Sequence, residues 1–268
     1  MNCPDCKSSN TRLCKHKTQL GYKQYRCRHC LKQFNQRTGT PFNFIEYPTE
    51  IVMLGVHYYY RFRTSLPDVV ELMALRGINV SHQTVHNWAQ TFGVELGLKL
   101  RERRRKQAGK KWHVDATYLK IEGRWCYLYR AIDSDGNLVD VYLSDVRDQN
   151  AAEDFFRQAL KTNDRKPSQV TTDKEAALYP AIEKVFESRV NHRDSKYKNN
   201  IIEQDHRAIK SRYSIMKGFK NIFTALIFCT AYEEIRSFFR TKNKTRSEAN
   251  RIIASKICEF YDLAVARI

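Results

Sequence analysis

Residues 111–144 leave the backbone little choice. KWHVDATYLKI alternates apolar and polar side chains, RWCYLYRAI repeats the pattern, and LVDVYLS follows. Period-two patterning of this kind marks strands that lay one face on a core. Glu122-Gly123 and Asp135-Gly136 separate the three runs, and an acidic residue followed by Gly between alternating segments signals a tight hairpin. The segment therefore predicts a three-stranded antiparallel meander. Downstream, NAAEDFFRQAL over 150–160 has helical spacing, QVTTD is a short strand ending at Asp173, and a helix is expected over about 175–187. One residue breaks the first strand's pattern: Asp115 stands between Val114 and Ala116, where a charge is costly without a partner.

Three strands, a helix, a strand and a helix is the order expected of an α/β domain with an RNase H-like fold. In that topology the first strand and the short strand lie side by side, so Asp115 and Asp173 are expected to meet at the sheet's centre. NNIIEQDHRAIKSR offers a third acid: Asn199 and Asn200 suit a helix start, Ile201, Ile202, Ile209 and Tyr213 face inward, and Glu203 falls on the same turn. Asp115, Asp173 and Glu203 are the candidate catalytic residues. Such a triad would hold two Mg²⁺ or Mn²⁺ ions about 4 Å apart, activating one oxygen and stabilising the one that leaves. Arg207 and Lys210 share the helix face of Glu203 and suit a phosphate, with Lys196 just upstream. Asp205 lies about 200° round the helix from Glu203 and is not expected to be a ligand.

The charge is partitioned around these acids. Residues 1–111 carry 20 basic against 7 acidic residues, residues 112–188 carry 10 against 14, and residues 189–268 carry 17 against 8, within an overall +18. A strongly positive field suits a polyanionic partner. An acidic island between basic flanks suits divalent cations held next to phosphate. The start, MNCPDCKSSN, has no apolar signal-peptide core, and the longest apolar stretch, around 222–232, is too short for a bilayer. The expectation is a soluble cytoplasmic, nucleoid-associated protein.

Cys3-x2-Cys6 and Cys27-x2-Cys30 form two knuckles that can close one tetrahedral Zn²⁺ site. Metal would supply folding energy that residues 1–47 cannot draw from a small core. Cys14, His16 and His29 read as solvated bystanders, and Cys126, Cys229 and Cys258 as small core residues. The segment between the knuckles is basic and predicts a short strand pair within TQLGYKQYRC, the whole reading as a zinc ribbon.

Residues 64–92 read as two helices joined by GINV, a helix-turn-helix within a unit spanning 48–98. Ser65 caps the first, with Pro67 and Asp68 in its opening turn, and Gly77 marks its end; Ser81 caps the second. The second helix turns Val85, Trp88, Ala89 and Phe92 inward and presents His82, Gln83, His86, Asn87 and Gln90, short polar groups of the kind that read base edges. A basic linker over 99–111 follows, with eight basic residues and one acid; Arg103, Arg104 and Arg105 are its candidate phosphate contacts. The catalytic domain is expected over 112–240. A C-terminal helix over 241–268 carries an apolar stripe of Ile252, Ile253, Ile257, Phe260 and Val265.

The blocks WHVDATYLKIEGRWCYLYRAIDSDGNLVDVYLSDVRDQNAAEDFF, TTDKEAALYPAI, HRDSKYKNNIIEQDHRAIKSRY and GFK resemble the DDE transposases of the IS-six insertion-sequence family. The likeness covers roughly 66–234, and IEQDHR is its most specific part. It implies an RNase H-like catalytic domain, divalent metal, recognition of terminal inverted repeats, and replicative transposition through cointegrates. It carries the family's triad onto Asp115, Asp173 and Glu203. Two departures stand out: Ala116 follows the first Asp where members often have Glu, and the 29 residues between Asp173 and Glu203 make a short interval. The N-terminal ribbon belongs to only some relatives. DNA ends and target DNA are the expected partners, with a homodimer or higher oligomer bringing two ends together. Two other functions fit the same residues: a transposase-derived DNA-binding regulator without catalysis, and a nuclease of the same fold that cuts branched DNA or RNA hybrids.

Overall fold

The computed structural model describes every residue except Lys174, Ser188, Lys196, Lys242, Asn243 and 266–268. Its centre is a sheet built from the predicted meander: β4 (Lys111–Ile121), β5 (Arg124–Asp133) and β6 (Leu138–Ser144). Glu122 and Gly123 both take positive φ, 51° and 78°, which is the two-residue turn that matches strand twist. β7 (Gln169–Thr172) then pairs parallel to β4, and β8 (Asn191–Asp194) parallel to β7, giving the order β6-β5-β4-β7-β8. An antiparallel meander extended by two parallel strands beside its first member is the RNase H-like arrangement. β8 was not expected: its sequence NHRD has no apolar alternation, and three of its four residues are exposed.

Two layers of helices cover the sheet. On one face α5 (Gln149–Asn163) and α6 (Leu178–Phe186) bury Phe155, Phe156, Ile182 and Phe186 against Trp112, Val114, Tyr129 and Val139. The opposite pleat, including Leu119, Leu128, Val141 and Leu143, meets α7 (Asn200–Met216) and α8 (Ile222–Phe238). β7 pairs with β4 only as far as His113. Beyond it the Tyr213 hydroxyl bonds both the N–H and the C=O of Lys120, and the Glu122 N–H donates to Phe219 O. These contacts blunt an otherwise open strand edge.

The N-terminal third holds a small sheet, β1 (Thr11–Lys17), β2 (Lys23–Cys27) and β3 (Gln33–Asn35), and then helices α1 (Thr49–Arg61), α2 (Leu66–Ala74) and α3 (His82–Trp88). The small sheet has three strands where the sequence suggested a pair. Ser65 and Asp68 exchange hydrogen bonds as a capping box, Gly77 ends the turn after α2 at φ 71°, and Ser81 caps α3. α1 lacks a charged face and escaped the sequence reading; its Val52, Met53, Val56 and Tyr60 are all buried. After α3 the chain passes through a π-helical turn, Ala89–Gly93, into α4 (Val94–Arg103). A Cβ on Gly97 would lie 2.7 Å from the Ala231 backbone, so its absence lets α4 press on α8.

That contact changes the expected organisation. α1–α4, α8 and the far pleat of the five-stranded sheet share one apolar core, joined by Phe260 of α9 (Arg246–Val265). The stretch read as a basic linker begins inside α4, and two of its arginines, Arg101 and Arg104, are structural. Arg101 donates to Asp140 at 2.7 Å, and Arg104 grips Glu234 at 2.5 and 2.6 Å while donating to the carbonyls of Leu138 and Val139. Asp140 and Glu234 are buried, so these cations are consumed in neutralising them. Cys126 and Cys229 are core residues as expected, whereas Cys258 is exposed.

Candidate active site

Asp115 is held at mid-strand in β4, 3% exposed, with one oxygen accepting from the Ala116 N–H at 2.8 Å. Asp173 follows directly on β7, and Glu203 occupies the first turn of α7. The helix is docked by Asn199, fully buried, whose side-chain amide donates to the carbonyl of Val114 at 2.8 Å. The bond ties the start of α7 to the residue preceding Asp115, and so turns Glu203 toward it. The 29-residue interval is therefore long enough to close the site.

Two ligand-capable groups result, and Asp115 belongs to both. Asp115, Asp173 and Glu175 offer oxygens within 4.8 Å of one another; Asp115, Glu203 and His206 offer donor atoms within the same limit. Asp173 Oδ1 and Glu175 Oε2 are buried with no hydrogen-bond partner among the described residues. Burial, then the charges of Asp173 and Glu203, push the Asp115 carboxyl up to about 8. Burial and then the positive charges of Arg130 and Lys210 push His206 far below the ordinary imidazole value, so it is neutral. Crowded carboxylates with bare oxygens are a donor set suited to hard divalent cations such as Mg²⁺ or Mn²⁺, and the neutral His206 imidazole adds a softer nitrogen donor beside them.

Asp205 serves the opposite face of α7. Arg130, Arg236 and Arg240 converge on it, and Glu233 takes further bonds from Arg130 and Arg236, each 2.7 Å. Burial opposes its ionisation, yet Arg236 and Arg130 hold it ionised well below the usual carboxylate range. It is an anchor for the helix that bears Glu203.

A family model described as a DDE domain, of the IS240 type, matches residues 109–242. The transposase of the insertion sequence-like element IS431mec from Staphylococcus aureus is 38% identical over 187 residues, 67% of this chain and 83% of the relative. The transposase of IS257 in transposon Tn4003, from the same species, matches to the same extent. The chain belongs to the DDE transposases of the IS-six family. Among solved structures, the HTLV-2 integrase catalytic core in complex with magnesium is similar at 15% identity and a TM-score of 0.39, covering 53% of this chain and 94% of that one. The dimeric form of the same core gives 18% and 0.41. The strand order, not this likeness, assigns the fold of the transposase.

Other residues singled out from the sequence fall into distinct places. Arg207 and Lys210 are exposed on the Glu203 side of α7, and the Lys210 ammonium lies 5.4 Å from the centre of the exposed Tyr118 ring. His82, Gln83 and Asn87 are exposed on α3, with Gln83 donating to Asn87 at 2.7 Å, and His86 is half-buried. Arg103 is paired with Glu259 and Arg104 with Glu234, while Arg105 is exposed. Lys196 lies outside the described residues.

Cys3, Cys6, Cys27 and Cys30 converge at the other end of the chain, with sulfurs 3.5 Å apart in the pairs 3–30 and 6–27. The N–H groups of Cys30 and His29 point at the Cys27 sulfur and, against the effect of burial, lower its thiol to about 6. Four such sulfurs are compatible with Zn²⁺.

Glu175, His206 and Arg147 were not singled out from the sequence. His206 had a usable signal: Glu-x-x-His places both side chains on one helix face at ligand spacing. Glu175 had none beyond standing two residues after Asp173.

Proposed function

We propose that the transposase binds the terminal inverted repeats of its element, hydrolyses a phosphodiester to free a 3′-OH, and directs that hydroxyl into target DNA by the replicative, cointegrate route. The observation that carries this is the position of Asp115, shared by two donor groups at the junction of β4, β7 and α7. Asp115, Asp173 and Glu203 are the residues assigned to hold the two ions. Divalent cations held by these carboxylates would supply Lewis acidity for an in-line displacement at phosphorus. Water and then a sugar hydroxyl can be presented to the same carboxylates, so one site serves both steps.

The remaining roles are assigned to the chain's own cations and polar groups. Arg207 and Lys210, on the exposed face of α7, orient the scissile phosphate beside Glu203. His82, Gln83, His86 and Asn87 read base edges from α3, and Arg105 with the basic ribbon contacts backbone phosphate. The four cysteines hold one structural Zn²⁺. Two DNA ends require at least two active sites, hence a homodimer or larger assembly on DNA. Among the described residues no helix is long and apolar enough to cross a membrane.

Glu203→Gln tests the assignment. Joining of labelled element ends to target DNA with Mg²⁺ or Mn²⁺ is expected to vanish, while binding of the ends stays within a few-fold of wild type. Joining at the normal rate by the variant sinks the triad assignment.

A further inference from the structure

Glu175 is the least explained acid in the molecule. Its side chain is 8% exposed, one oxygen accepts from Arg147 Nε at 2.6 Å, and the other, Oε2, is buried without a partner among the described residues. The Glu175 carboxylate lies with those of Asp115 and Asp173 inside one 4.8 Å group. Three carboxyl groups crowd a single arginine there, more acid than one cation can neutralise. Buried charge of that kind is stable only when paired or coordinating a metal. Arg147 is 38% exposed, and its guanidinium at the same time lies 5.9 Å from the Tyr127 ring, a contact that does not depend on Glu175.

We propose that Glu175 is a fourth carboxylate ligand, completing an all-oxygen divalent-cation site with Asp115 and Asp173, and that Arg147 occupies it until the cation arrives. The two halves of the centre then differ in chemistry. The Glu175 half offers oxygen donors alone and suits Mg²⁺ or Mn²⁺; the Glu203 half adds the His206 imidazole. Arg147 and the cation compete for one carboxylate, so the arginine weakens metal binding and at the same time keeps the metal-free site from bursting apart. This rests on reading the centre as a divalent-cation site.

Competition has a sign that a merely structural ion pair lacks. Mn²⁺ binding to the full-length, zinc-loaded protein without DNA is to be measured by calorimetry and by the electron paramagnetic resonance signal of free Mn²⁺. Glu175→Gln is expected to weaken one of two Mn²⁺ sites about tenfold or more, since affinity follows ligand charge count. Arg147→Gln is expected to strengthen the same site several-fold. Asp115→Asn, which removes the shared ligand, is expected to abolish both. If Asp115→Asn abolishes binding but Arg147→Gln leaves it unchanged or weaker, the pair is structural and the inference is overturned. Unchanged Mn²⁺ affinity in Glu175→Gln overturns it equally. If Asp115→Asn itself binds Mn²⁺ normally, the reading of the whole centre fails instead. Should Glu175→Gln not fold, the Arg147→Gln result decides alone.

Discussion

Asp115 shows how much one residue can reveal when it contradicts its surroundings. An acid in an apolar alternation needs either a partner or a purpose, and the neighbours that the fold supplies are three more acids, Asp173, Glu175 and Glu203, and the His206 imidazole. Without a cation the site works against folding. A carboxyl pushed up to about 8 by burial and by Asp173 and Glu203 keeps its proton in the folded state, whereas the unfolded chain releases it near about 3.9. The folded state therefore binds more protons between those values, and stability falls as pH rises through that window. Asp115→Asn is expected to flatten this slope and to make the divalent-free protein more stable than wild type at pH above about 8, by at least about 1 kcal/mol. Added Mg²⁺ is expected to reverse the ranking, because only the wild type gains from binding. Denaturant titrations at acidic and alkaline pH, with and without Mg²⁺, check both signs; a variant that melts like wild type in all four conditions removes the repulsion from the account.

At the scale of elements, α7 is the part that turns a sheet with two acids into a site. Its helical start, and Glu203 on its first turn, were legible because Asn-Asn precedes an apolar periodicity. Its docking was not: Asn199 reaching Val114, and Asp205 receiving Arg130, Arg236 and Arg240, join residues up to 85 positions apart. Local pattern carries strands, turns and caps, as at Glu122-Gly123 and the Ser65–Asp68 box, but not the partner of a buried charge. The same limit hid β8, whose polar NHRD pairs only because β7 offers an edge, and made Arg104 look like a free phosphate contact. Asp205→Asn leaves three arginines short of a counter-charge in a buried setting and is expected to cost about 3–5 kcal/mol. Loss of Glu203's position should accompany it, so strand transfer should fall further than end binding even at temperatures where the variant is folded. Thermal melts alongside joining assays measure this, and a variant with normal stability would show that the arginine cluster does not hold α7.

Over the whole molecule, the +18 charge resolves into a basic N-terminal third, an acidic sheet and a basic C-terminal third, yet the core ignores those boundaries. α1–α4 are welded to α8 and the sheet, so the helices assigned to DNA and the carboxylates assigned to chemistry form one body. The cysteine ribbon is different. Its own apolar cluster is Cys3, Cys27 and Phe34, with Cys6, Tyr25 and Cys30 beside it, far too little to order some forty residues without metal. It is tied to the rest through the Tyr22 hydroxyl, which accepts from the Thr49 N–H at 2.9 Å, through Arg37, which donates to the carbonyls of Tyr47 and Ile45, and at its end through Phe42, stacked on Phe92 in the main core. Loss of the Zn²⁺ proposed for these sulfurs should therefore unfold the ribbon while leaving the body that carries the carboxylates intact. Cys27→Ser is expected to expose residues before about 40 to limited proteolysis, to move the main melting transition little, and to weaken binding of element ends about tenfold or more through lost phosphate contacts. Mn²⁺ binding at the carboxylates should be unchanged in the same variant. A ribbon that stays protease-resistant without its fourth sulfur, or a catalytic body that melts with it, would show that the two metal centres are coupled through the fold and not independent.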